Sequence, residues 1–156
     1  MPQAVQNPPQ GYHTLTPYMT VRNARAAIDF YRQAFGAEKV LQLDMADGSV
    51  AHAEIRIGDS VVMLSEESEA WGTKGPLTLG GSPMFLMAYV ADVDAAFRRA
   101  LAAGATEVRP VADQFYGDRA GTLKDPFGHQ WTLATHIEDV SEAEAQRRME
   151  AAFAKS

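Results

Sequence analysis

A chain of 156 residues in which 46% of the side chains are apolar can bury a real core, as one compact domain or two small fused halves. Its formal charge of -6, with no run of Lys or Arg, excludes the electrostatic footprint of a nucleic-acid binder and disfavours an acidic membrane surface as partner. The absence of Cys excludes disulfides, thiolate nucleophiles and thiolate metal sites, leaving four His and the carboxylates as the strong ligands.

Residues 1–11 are rich in Pro and Gln and are expected to form a flexible arm, with neither the apolar run of a signal peptide nor a membrane span. A cytoplasmic location is the expectation that follows. Residues 15–21 alternate, Thr16, Tyr18 and Thr20 against Leu15, Met19 and Val21, which is the period of a half-buried strand. Asn23 caps a helix predicted over 24–35, with Ala27, Ile28, Tyr31 and Phe35 as its apolar stripe and Gly36 as its stop. Strands are predicted at 38–45, 51–57 and 60–65, joined through the turn pairs Asp47-Gly48 and Gly58-Asp59.

Residues 75–83 hold Gly75, Pro76, Gly80, Gly81 and Pro83 and read as a linker between a first module over 12–74 and a second over 84–136. The order then repeats: a strand at 84–90, Asp92 as cap, a helix over 93–103 ending at Gly104, and strands near 107–111, 116–124 and 130–135. The last two form a hairpin through Asp125-Pro126-Phe127-Gly128, where Pro presets φ and Gly closes the reversal. Val21 maps to Val90 and Leu64 to Leu133 at a common separation of 69 residues, so the chain reads as one module written twice. A terminal helix is predicted within 137–156, opened by the capping box Ser141-Glu142-Ala143-Glu144, with Ala145, Met149, Ala152 and Phe153 as an apolar face for its own domain or a second subunit.

Two β-α-β-β-β modules in tandem, with Ala27-Ile28-Asp29-Phe30-Tyr31 in the first helix and Asp125-Pro126-Phe127-Gly128 before the last strand, resemble the vicinal oxygen chelate superfamily of glyoxalases, bleomycin-resistance proteins and ring-cleaving dioxygenases. The resemblance extends to its PhnB-type, glyoxalase-like branch through Thr16-Pro17-Tyr18, Ala34-Phe35-Gly36-Ala37-Glu38, and Tyr116-Gly117-Asp118-Arg119 ahead of Gly128-His129-Gln130-Trp131. It implies an α+β fold of two curved, antiparallel-rich mixed sheets around a cup, plus the C-terminal helix. It also implies metal-ligand positions at Thr16, Met63, Phe85 and Thr132. A methionine, a phenyl ring and two neutral hydroxyls are no donor set for a divalent ion, so the family's usual metal site is expected to be absent and no cofactor is expected.

In Ala51-His52-Ala53-Glu54-Ile55-Arg56-Ile57, alternation puts His52, Glu54 and Arg56 on one face. His52 beside Glu54 suits a proton carrier, and equally a solvated polar row or an intersubunit ion pair. At the head of the seventh strand, Arg119 suits a clamp on an anionic group with Tyr116 stacking beside it, or else an Arg119 bridge to Asp118 or Asp125 that shapes the hairpin. His129 shares parity with Trp131 and Leu133 and reads as structural. Trp71, beside the linker, is a candidate lid. Tyr18, Phe85, Met87 and Tyr89 are expected to form an aromatic and thioether wall, which with Thr16, Met63 and Thr132 would line the cup.

Three readings follow. The first is a homodimer that binds a small, partly aromatic molecule in the cup. The second is a lyase, isomerase or tailoring enzyme using His52, Glu54, Tyr116 or Arg119. The third is a structural dimerisation module.

Overall fold

The computed structural model describes residues 1 and 4–154, which group into two compact units: Met1–Ser82 with Pro126–Gly128, and Pro83–Asp125 with His129–Ser156. The expected class is what is found: an α+β chain of two βαβββ modules, each with its own mixed four-stranded sheet, followed by a C-terminal helix.

In the first unit β1 (Tyr18–Val21) leads into α1 (Ala24–Phe35), followed by β2 (Glu38–Asp44), β3 (Val50–Ile57) and β4 (Ser60–Glu66). Asn23 caps α1 by accepting from the Ala26 amide, and Gly36 ends it in the left-handed region at φ 66°. The sheet runs β1-β4-β3-β2, with β1 parallel to β4 and the other pairs antiparallel. Met19, Val21, Ala53, Ile55, Val62 and Leu64 are all buried on the face that carries α1, where Ile28, Phe30 and Tyr31 meet them. Phe127, from the turn in this unit, packs edge-on against Phe30.

The second unit repeats the pattern with β5 (Phe85–Tyr89), α3 (Val93–Ala103), β6 (Thr106–Asp113), β7 (Asp118–Lys124) and β8 (Gln130–His136), in sheet order β5-β8-β7-β6. Asp92 caps α3 through the Ala95 amide. Phe97, Leu123, Trp131 and Leu133 form the core between α3 and the sheet. At Gly121 a Cβ would meet the Phe97 ring at 2.9 Å, so the helix lies too close for any larger residue. The predicted turn closes with the Asp125 amide donating to His129 O at 2.8 Å and Gly128 at φ 90°. Asp125, 3% exposed, accepts from the His129 amide and the Trp131 indole, both at 2.9 Å.

Three expectations are corrected. The first strand starts at Tyr18 rather than Leu15, and Leu15 is 86% exposed. The segment between modules contains a one-turn helix, α2 (Pro76–Leu79), because Pro76 at its first position loses no hydrogen bond there and Gly80 supplies the left-handed stop. Only half of the capping box forms around α4 (Glu142–Phe153). Ser141 accepts from the Glu144 amide, but the Glu144 carboxylate turns instead to Arg147 and Arg148. No residue of α4 is buried. Arg148 attaches it, donating to Glu138, Glu144 and the Phe115 carbonyl.

Candidate functional site

Each sheet has a second face, opposite its helix, and cross-strand register fixes which side chains occupy it. In the first unit Tyr18 stands beside Met63, Met63 beside Glu54, and Glu54 beside Leu41, a single row across four strands. His52 pairs with Leu43 and Arg56 with Val61 on the same face. Tyr18 reaches from β1 past β4 to β3, where its hydroxyl shares a 2.8 Å hydrogen bond with His52 Nδ1. His52 Nε2 lies 3.7 Å from Glu54 Oε2, and Tyr12 donates its hydroxyl to Glu54 Oε1 at 2.8 Å. Glu54 is only 5% exposed, a nearly buried carboxylate with a single hydroxyl donor among the described residues. That bond, more than burial, raises the Tyr12 phenol above its ordinary pKa. The polar row expected from β3 is therefore assembled with Tyr18, and the structure adds Tyr12.

In the second unit the equivalent face carries the row Met87, Thr132, Thr122 and Arg109, and beside it Tyr89, Ala134, Ala120 and Ala112. The Thr132 and Thr122 hydroxyls share a buried 2.9 Å bond. Tyr89 reaches from β5 across β8 to β7 and donates to Asp118 Oδ2 at 2.9 Å. Its path crosses Ala134, whose small side chain is fully buried and leaves room for the ring. Asp118, 3% exposed, takes its second bond from His136 Nδ1 at 2.8 Å, and His136 Nε2 meets Asp139 at 2.7 Å. The hydrogen bonds to Asp139 and Asp118 raise the His136 pKa, and the bond to Asp118 raises the Tyr89 phenol. Tyr116 is raised chiefly by burial, then by Asp118, and lowered by Arg109.

Phe85, Met87 and Tyr89 are 56%, 44% and 65% exposed on the open face, as their shared parity requires. Arg119 has the opposite parity and lies on the helix side. Its guanidinium holds Asp94 of α3 at 2.8 Å and Asp113 at 2.9 Å, so its partners are neither Asp118 nor Asp125. Trp71 is exposed and lines a groove of about 260 Å³ with Met45 and Glu66.

The metal positions implied by the resemblance do not fit a divalent ion. Thr16 precedes β1 and donates to the His13 carbonyl at 3.4 Å, Thr132 is tied to Thr122, and Met63 and Phe85 bring no hard donor. Among the described residues, no three His, Asp or Glu side chains stand where they could hold a metal together. Among the same residues, no helix is long and apolar enough to cross a membrane.

Duplicated βαβββ modules, each leaving one sheet face free of helix, define a class built to present open sheet faces. The chain belongs to the glyoxalase/bleomycin resistance protein/dioxygenase superfamily, whose family model matches residues 12–133. An uncharacterized protein of Mycobacterium bovis is 43% identical over 138 residues, spanning 86% of this chain and 91% of the relative. Among solved structures, TioX from Micromonospora sp. ML1 is similar at 26% identity and TM-score 0.63, over 80% of this chain and 99% of that one. A PhnB protein from Bacillus cereus shares the fold at 20% identity and TM-score 0.58, over 79% and 99%.

Proposed function

We propose that this chain is a PhnB-type member of the superfamily that binds a small, partly aromatic molecule on its open sheet faces, as a homodimer and without the family's usual divalent ion. The observation that carries the reading is the exposure of Phe85, Met87 and Tyr89 side by side on the second sheet. Large apolar side chains grouped on one face mark a surface that something covers. Tyr89 is held by Asp118, so its ring is a rigid platform rather than a loose side chain. Tyr18, Leu41 and Leu43 add exposed apolar area on the first sheet, and this unpaired area supports the dimer, because a second copy would cover it. The test is a thermal-shift screen of aromatic metabolites and antibiotics together with the solution mass. A monomer that no aromatic compound stabilises would overturn the reading.

The arrangement of Glu54 favours a second reading, an enzyme using acid–base chemistry. A carboxylate 5% exposed, with His52 at 3.7 Å and Tyr12 on its other oxygen, is a costly group to keep for structure alone. Turnover of a bound compound that His52→Ala abolishes without loss of folding would establish it.

A further inference from the structure

The charges on the second open face do not match those of the rest of the chain. The protein carries 20 Asp and Glu against 14 Lys and Arg. In the second unit, Arg119 is spent on Asp94 and Asp113, Arg147 on Glu144, and Arg148 on Glu138 and Glu144. Arg109 and Lys124 differ. Both are exposed, Arg109 opposite Thr122 and Lys124 opposite Gln130 on the open face, and among the described residues neither makes an ion pair. Among the described residues the strands carry one carboxylate on that face, Asp118, and both its oxygens are engaged, one by Tyr89 and one by His136. The face beside the aromatic wall therefore presents free positive charge in an acidic protein.

We infer that the ligand of the second sheet is an aromatic anion, its ring lying against Tyr89 and Met87 and its carboxylate or equivalent acid meeting Arg109. This rests on the binding reading above and adds the chemical class. Arg109 shares its cross-strand row with Met87, two strands separating them, so ring and charge are offered together across the width of the sheet. A planar guanidinium pairs with a carboxylate through two parallel N–H groups, which a lone ammonium does not reproduce.

The test compares an acid with its neutral isostere, 1-naphthoate against 1-naphthamide, by calorimetry on the full chain. The native protein is expected to prefer the acid about tenfold, and Arg109→Gln to erase that preference while leaving amide binding and the melting temperature unchanged. Arg109→Lys should restore part of the preference, and added salt should shrink it. Equal affinity of the native protein for the two probes overturns the charge assignment and leaves the binding reading standing. A preference lost in Lys124→Gln but kept in Arg109→Gln overturns the role of Arg109. Binding of neither probe up to millimolar concentration overturns both the binding reading and this inference.

Discussion

The two modules were built from one plan and diverged where polar groups meet the open face. Their first hairpin loops, between β2 and β3 and between β6 and β7, repeat the same hydrogen bonds at a shift of 69 residues. Met45 N donates to Ser49 O at 2.8 Å and Gly48 N to Met45 O at 2.9 Å, while Gln114 N donates to Asp118 O at 2.7 Å and Gly117 N to Gln114 O at 3.2 Å. Each face also has a tyrosine on the edge strand that crosses its neighbour to a polar group on the third strand, Tyr18 to His52 and Tyr89 to Asp118. These tyrosines are not at equivalent positions, since Val21 and Val90 follow them by three residues and by one. The same bracing was reached twice. What separates the modules is the state of the buried carboxylate: Asp118 is held on both oxygens, whereas Glu54 has one hydroxyl and a histidine at 3.7 Å.

The largest contrast should come from the equivalent glycines. Gly48 and Gly117 both have positive φ, 87° and 103°, but a Cβ at Gly48 meets nothing, whereas one at Gly117 runs into the Glu138 backbone. The Gly117 carbonyl also accepts from the Ile137 and Glu138 amides. Gly117→Ala is expected to cost about 4 kcal/mol and Gly48→Ala about 1–2 kcal/mol, the strain of φ alone. Urea unfolding of the two variants measures the difference, and equal costs would show that the tail does not depend on the Gly117 turn.

The carboxylates come next. Asp118→Asn should cost about 2 kcal/mol, because a buried acceptor matched to two partners becomes a partial donor. Glu54→Gln should stay within about 0.5 kcal/mol of the parent or exceed it, since one hydroxyl only partly offsets the burial of a charge. A loss at Glu54 as large as that at Asp118 would make Glu54 a structural group and weaken the acid–base reading.

The duplication is legible in the sequence as a 69-residue repeat, and the two module helices with their caps and the open-face parity follow from local periodicity. His52 and Glu54 were found that way. The strand-head position of Arg119 says nothing of face, yet its odd parity with Gly121 and Leu123 puts it on the helix side. The Asp118 and His136 pair was readable in the same manner, both being even-numbered with Thr122 and Thr132. Tyr12 was not, since it lies outside any periodic run and reaches Glu54 from 42 residues away. Arg109 was hidden by the irregular register of β6, where shifts fall on both sides of it.

A pH dependence should separate the modules further. The His136 pKa is raised in the folded chain by Asp139 and Asp118, so its stabilisation is complete below the unfolded value of about 6.5 and is lost as pH rises through the folded value. Half of the His136 side chain is exposed, so salt should weaken the effect. His136→Gln is expected to lower the melting temperature at pH 6 and to converge on the parent at alkaline pH. A gap that is constant across that range would assign the loss to packing rather than to charge.

The smallest contrast is expected between the bracing tyrosines, and it tests whether the two crossings are equal. Tyr89→Phe leaves one oxygen of a nearly buried carboxylate without its donor and should cost about 1 kcal/mol. Tyr18→Phe removes a bond to a quarter-exposed histidine, whose nitrogen then turns to water, so about 0.3 kcal/mol is expected. Binding should rank them the same way. Freed from Asp118, the ring at position 89 loses its fixed pose and a stacked ligand should leave faster, which a stopped-flow dissociation rate of bound 1-naphthoate would register. Unchanged dissociation in Tyr89→Phe would mean that Asp118 holds the strand ends together rather than the platform.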